Sequence, residues 1–367
     1  MSEDINRYGI DPYLDWMAAE GVPVFEGYGV DLFAVETAPW PRHGMKGAGV
    51  HLHGRGDFAA MFVFEIAPAG SSAPQKHLYE EIIYVLEGRG NTQVEFPDGR
   101  KLSFEWGTGS LFAVPLNVKH RHFNASGAER ALLASTHDMP LVMNTFHNAE
   151  FIFSADFDFG RRSQERLFFG EGEMIMRAAG SNVWETNFIP DLANLELKEW
   201  ADRGAGSTNV VIGLADGLLH AHTSEMPVGT YKKGHRHGPG FHVMCVTGHG
   251  YSLLWFDKDQ DFLRIDWKHG VVFPPADQQF HQHFNTSPEP ARYLATGVGG
   301  LRYPLTVQQR RSLLGLKPGE KGAVSTSIKE GGDQYEYDDQ DPRIQQIWVE
   351  ETRKYGVEQK MDKFFTK

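Results

Sequence analysis

The stretch GTYKKGHRHGPGFHVMCVTGHG, from Gly229 to Gly250, is answered by FPPADQQFHQHFN from Phe273 to Asn285, and this pair decides the fold. The first piece places His235 and His237 two residues apart; the second returns His281 and His283 about forty residues later. Imidazole is a common ligand of zinc, copper, iron and nickel. Residues i and i+2 of an extended segment point to one face, so an H-x-H pair on a strand offers two ligands to one metal. Between the two pieces, YSLLWF and FLRIDW flank the turn-like DKDQD and read as a hairpin. A small β-barrel with its site inside suits this spacing better than a helical H-E-x-x-H site.

Working outward, the remaining chain repeats the pattern. From about His51 it breaks into short β-rich runs, FAAMFVFEIA, EEIIYVLEG, TQVEF, KLSFEW and SLFAVP, separated by turn compositions. Setting Gly88-Arg89-Gly90 on Gly248-His249-Gly250, an offset of 160, puts Gln75, His77 and Glu81 on His235, His237 and Phe241. One further residue of shift pairs His120 with His281, His122 with His283 and Asn124 with Asn285. An internal duplication follows.

The ends read as helical. Asp11-Pro12 before YLDWMAAEG is an N-cap with proline at the first helical position and Gly21 as the stop, with Leu14, Met17 and Ala18 on one face. Asp341-Pro342 opens a second capped helix ending at Gly356, with Ile344, Ile347, Trp348 and Tyr355 on one face. Both arms suit docking on a domain or a partner subunit. A short helix is expected near Leu195 to Trp200 and another in LTVQQRRSLLG, and the polar run through EGGDQYEYDDQ reads as a mobile, solvated segment.

Composition bounds the function. The chain has 367 residues, 41% of them hydrophobic, and a net charge of −12, which argues against nucleic-acid or anionic-membrane partners. The polar start MSEDINRYG and the lack of a long apolar run set the expectation of a cytoplasmic protein. Cys245 stands alone, in the apolar run HVMCV, and reads as a buried structural thiol.

These residues resemble the cupin superfamily, and the duplication resembles a bicupin. The first family motif, glycine, H-x-H, glutamate, glycine, is matched in part by Gly70, Gln75-Lys76-His77, Glu81 and Gly88, with Gln75 for the first histidine, and again by Gly229, His235, His237 and Gly248, with Phe241 where glutamate is usual. The second motif appears as Pro115, His120, Asn124 and as Pro275, His281, Asn285. The resemblance implies an all-β chain of two tandem cupin barrels, of double-stranded β-helix or jelly-roll type, with short N- and C-terminal helical arms. The expected division is a helical arm over 1–45, an N-terminal cupin over 46–150, a linker that completes both sheets over 151–206, a C-terminal cupin over 207–303 and a helical arm over 304–367.

A three-histidine site without glutamate resembles the gentisate and salicylate type of ring-cleaving dioxygenase. That resemblance implies His235, His237 and His281 as ligands of Fe2+, with Mn2+, Ni2+, Zn2+ or Cu2+ as alternatives, and O2 and a small acid as co-substrates. It departs from the family in placing the intact H-x-H in the second cupin. His283 and Gln279 are expected to contact substrate or ligands, the former steering a proton, and His242 is a further candidate base. Gln75, His77, Glu81 and His120 form either a degenerate pocket or a second metal site. Lys232, Tyr231 and Arg292 are candidates to meet an anion. A homo-oligomer, dimer or tetramer, is expected. Two other functions fit the same residues: a non-oxidative lyase, isomerase or decarboxylase, and a non-catalytic binding bicupin.

Overall fold

The structure is a computed structural model, which describes residues 9–55, 58–159, 165–178, 181–238, 241–257, 261–299, 302–305 and 326–365. As expected, the chain is all-β, two tandem double-stranded β-helix barrels with short helical arms at its ends. Each barrel closes one large sheet against a three-stranded one. In the first, the strands Ala60–Ile66, Ala131–His137 and Glu81–Glu87 lie side by side, opposite Arg89–Glu95 and its partners Lys101–Gly107 and Lys119–Asn124. In the second, Leu219–Met226, Ala291–Val298 and His242–Thr247 face the hairpin His249–Trp255 with Leu263–Lys268, extended by Phe280–Asn285.

The two large sheets pack on each other, which explains why their strands are apolar almost throughout rather than alternating. Phe62 and Phe64 turn into the first barrel, whereas Met61 and Val63 join Ile82, Leu132 and Ala134 against Val210, Ile212, Met244 and Leu294 of the second. The barrels also exchange edges. Val30–Asp31 pairs with Val271–Phe273 of the second barrel, and Phe188–Ile189 pairs with Leu111–Phe112 of the first. A 3-10 helix follows each exchanged strand, capped in one case by Asp31 and in the other by Asp191.

The motif glycines and asparagines have structural reasons. A Cβ on Gly90 or Gly250 would lie 2.0 Å from the carbonyl oxygen of Phe123 or Phe284, so the strands can cross there only without a side chain. Asn124 donates through Nδ2 to the carbonyls of Ile66, Ala67 and Glu129, and Asn285 to those of Met226, Pro227 and Glu289. Each closes the same corner of its barrel.

The N-terminal helix is Pro12–Glu20, capped by Asp11, whose side chain accepts from the Tyr13 and Leu14 amides. It buries Tyr13, Trp16 and Met17 on the first barrel, Met17 lying close over Gly49, while Leu14 and Ala18 of the expected face are exposed. The C-terminal helix, Pro342–Tyr355, packs Trp348 edge-on to Tyr231 and tilted against Phe284 of the second barrel. Tyr355 lies outside, over His249. The helix expected near Leu195 to Trp200 is instead a 3-10 helix, Leu192–Asn194, and a short strand, Lys198–Glu199, because pairing with Thr208–Leu214 holds that segment extended. The LTVQQRRSLLG helix lies mostly outside the described residues. Residues 330–340, expected as mobile and solvated, pack on the second barrel: Gln334 is 1% exposed, and Tyr337 donates its hydroxyl proton to the carbonyl of Tyr231.

Candidate metal centres

His235, His237 and His281 come together in the second barrel, each offering one ligand atom, with all three atoms within 4.8 Å of one another. The H-x-H pair is not on a regular strand. His235 forms an isolated antiparallel bridge with His281, its amide donating to the His281 carbonyl at 3.1 Å and the reverse bond spanning 2.9 Å. That bridge is what sets the two rings 4.4 Å apart.

The ring orientations are fixed from behind. His235 Nδ1 lies 3.0 Å from the Lys233 carbonyl, His237 Nδ1 2.9 Å from that of Gly238, and His281 Nδ1 3.1 Å from that of Gln279. A carbonyl only accepts, so each Nδ1 carries the proton and each Nε2 keeps its lone pair. Burial holds all three imidazoles below their ordinary pKa, and thus neutral. Three neutral, pre-oriented nitrogen donors suit a divalent metal.

The first barrel repeats the arrangement with other donors. His77, Glu81 and His120 bring their ligand atoms within 4.8 Å. His77 Nδ1 meets the Tyr79 carbonyl at 2.7 Å and His120 Nδ1 the Val118 carbonyl at 3.0 Å, leaving both Nε2 atoms buried with no hydrogen-bond partner. Glu81 accepts from Ser135 Oγ through one oxygen, and its other oxygen is 3.6 Å from His77 Nε2. Its burial opposes ionisation, but His77 and the neighbouring imidazoles hold its pKa well below the usual carboxylate range. Two orphaned buried nitrogens facing a carboxylate also fit a cation. Gln75 occupies the place of His235, bridging His120, yet its side chain turns away and accepts from His43 Nδ1 at 2.7 Å.

The other expected residues separate. His283 is in the second cavity, its ring 5.4 Å from that of His281, with Nδ1 2.8 Å from Ser252 Oγ and that hydroxyl also accepting from Trp267. The same chain of contacts, Trp106, Thr92, His122, recurs in the first barrel. Gln279 orients His281 through its backbone, while its side-chain oxygen accepts from the Ala276 amide. His242 lies on the opposite face of its strand, lining a small cavity between the barrels with Met61, Ile82, Tyr84, Met244 and Thr296; both its nitrogens are buried without a partner. Lys232 is 1% exposed, with Nζ donating to the Tyr293 hydroxyl at 3.0 Å. Arg292 is spent on Glu225 and on the carbonyls of Leu192 and Leu195, and Tyr231 is bonded to Gln345.

Three neighbours escaped the sequence reading. The strand Leu219–Met226 sends His220 and His222 toward the same cavity, where Phe241, the substitute for glutamate, lies 5.2 Å and 5.6 Å from their rings and 5.3 Å from that of His237. The signal was another H-x-H in the second half of the chain, LHAH, in an apolar run. Arg203, 4% exposed, donates to Gln334, whose backbone bridges His235, and after burial its charge helps to hold the His235 pKa down.

Residues 62–136 match the family model described as Cupin domain. No curated protein matches the sequence. Among solved structures, the oxalate decarboxylase of Lactobacillus farciminis in its formate complex aligns with a TM-score of 0.50 at 11% identity, covering 80% of this chain and 91% of that one. Two variants of Bacillus subtilis oxalate decarboxylase align with TM-scores of 0.49 and 0.48 at 13% and 12% identity, covering 78% and 75% of this chain and 81% and 78% of theirs. At such identities the likeness is one of fold, that of tandem cupin barrels.

Proposed function

We propose that this chain is a metal-dependent enzyme working at His235, His237 and His281, and that it is a mononuclear non-haem iron(II) dioxygenase cleaving a small aromatic or oxygen-rich acid. The observation behind this reading is the donor set: three imidazoles locked to present Nε2, with no carboxylate among them. Neutral ligands leave a divalent ion its full charge, which favours an anionic, chelating substrate. Bound there, the metal would supply Lewis acidity and open positions for the acid and for O2.

The chain's own residues would do the rest. The ring of Phe241 occupies the side where glutamate would bind, and with His220 and His222 it narrows access for water. Ser252, already accepting from Trp267, can give its proton to His283 Nδ1, which leaves Nε2–H as a donor toward a substrate oxygen. Lys232 adds a buried positive charge beside Tyr293.

The test is anaerobic reconstitution with Fe2+ followed by O2 uptake in the presence of small hydroxylated acids. Turnover without O2 consumption would sink the oxidative reading. It would favour the second one, a non-oxidative decarboxylase or lyase, which the His77, Glu81 and His120 cluster supports by offering a carboxylate-bearing centre of lower charge. Decarboxylation is also the activity named for the structural neighbours.

A further inference from the structure

The segment that carries His235 and His237 is held from two sides. On one side His235 bridges His281; on the other a second isolated antiparallel bridge joins His235 to Gln334. There the Arg236 amide donates to the Asp333 carbonyl at 3.0 Å, and the Tyr335 amide donates to the Gly234 carbonyl at 2.7 Å. Side chains lock the same pairing. Gln334, 1% exposed, accepts through Oε1 from Arg203 Nη1 at 3.2 Å and donates through Nε2 to the Asp202 carbonyl at 3.0 Å. Arg236, which stands between the two histidines, donates through Nε to Asp333 Oδ1 at 2.8 Å. Lys233 pairs with Glu336, and Tyr335 packs on Phe280, the residue before His281, with ring centroids 4.8 Å apart.

The internal repeat shows the same edge without this support. At the offset of 160, Gln75 corresponds to His235 and Lys76 to Arg236. Gln75 keeps the bridge to its partner strand at His120, but among the described residues no isolated bridge joins it to a further segment. Lys76 reaches out to the exposed Asp156 instead. The added segment is itself a built turn. Ile328 donates to the Gln334 carbonyl at 2.9 Å, and Gly332 comes so close to Thr326 that a Cβ would lie 2.1 Å from its carbonyl oxygen. The doubly paired edge is thus the one with the complete H-x-H, in the barrel whose candidate ligands include no carboxylate.

We infer that residues 326–336 are a metal-retaining clamp, with Gln334 as its positioning residue. By fixing the backbone from Gly234 to Arg236, the clamp sets where His235 and His237 present Nε2, and thereby how slowly the second centre releases its ion. Gln334 acts through the ligand segment and not on the metal. A centre of neutral imidazoles has no ligand charge to draw the cation in, so its hold depends on donors that are already in place. A ligand segment paired on one side only would have to be ordered by the ion itself, at a cost in backbone entropy. Partners behind metal ligands are worth about ten- to hundredfold in affinity. The inference rests on the reading of the three histidines as a metal centre.

The experiment uses the full chain with His77→Ala, so that only the second centre is read, loaded with Co2+, whose visible absorption reports ligand geometry. Release of Co2+ to excess chelator is then timed. Gln334→Ala should release the ion about ten- to hundredfold faster and alter the visible spectrum. Gln334→Glu keeps the acceptor for Arg203 and should recover part of the loss; where Gln334→Ala fails to fold, this variant alone should still release about three- to tenfold faster. Thr296→Val, which weakens the chain away from the clamp, should stay within about threefold of the parent. An unchanged rate and spectrum in the Gln334 variants, or an equal acceleration by Thr296→Val, overturns the clamp and leaves the metal centre standing. Failure of Co2+ to bind in a His237-dependent way, measured first, overturns the metal centre and the clamp with it.

Discussion

Thr136 Oγ1 and Thr296 Oγ1 lie 2.7 Å apart, buried between the two barrels. They are 160 residues apart, the offset of the internal repeat, so the same position of each half meets its counterpart across an approximate twofold relation. One hydroxyl donates and the other accepts, which makes this contact a sensitive probe of how the barrels are joined. Thr136→Val should destabilise the chain by about 1 kcal/mol, since it strands the other hydroxyl in an apolar interface. The double change with Thr296→Val should cost less than the sum of the single ones. Urea unfolding of the three variants reads this; strict additivity would rule out the coupling.

The two metal centres are expected to respond separately. His237→Ala should remove one equivalent of metal and all turnover, while His77→Ala should leave turnover intact. Metal content per chain, measured beside activity, distinguishes them. Equal losses of activity from both changes would refute a single working centre.

Gln75→His should strengthen metal binding at the first barrel, because the backbone bridge to His120 already places position 75 as its counterpart places His235. In a His237→Ala background, metal content should rise relative to that variant alone. No rise would show that His43 still draws the side chain away.

His242 is 1% exposed, with both nitrogens unpartnered, and burial lowers its pKa to about 3. The folded-state value lies below the unfolded one of 6.5, so between these values the unfolded chain binds the extra proton. Stability from this residue is therefore whole above pH 6.5 and is lost as pH falls toward 3. At pH 5 the penalty is about 2 kcal/mol. His242→Leu should flatten the decline in unfolding free energy between pH 7 and pH 5 without removing metal. An unchanged slope would contradict the burial argument.

Asn285→Ala should destabilise by about 2–3 kcal/mol, since its Nδ2 serves three carbonyls and its Oδ1 accepts from the Ser287 amide. Asn124→Ala should cost a similar amount for the same reason. Thermal unfolding that left either variant at the wild-type midpoint would show that the corner closes without it.

The sequence by itself determined the doubled β architecture, the hairpin His249–Trp255 with Leu263–Lys268, and the capped helices at the ends. These features are local: turn glycines, proline caps and short apolar runs write them into a few neighbouring residues. The repeat likewise brought His77, Glu81 and His120, or His235, His237 and His281, into view as candidate clusters. Other features depended on groups distant in sequence. Arg203 and residues 326–340 come to the second centre only through contacts across the folded chain, so no local spacing announces them. Likewise, the exchange of Val30–Asp31 and Phe188–Ile189 between barrels is decided by which sheet edge is left unpaired. His242 and His283 were both candidate proton-handling residues in the sequence, although strand parity already set His242 facing away from the metal. The pleat and the packing of one barrel on the other put the first into the apolar interface and the second into the cavity.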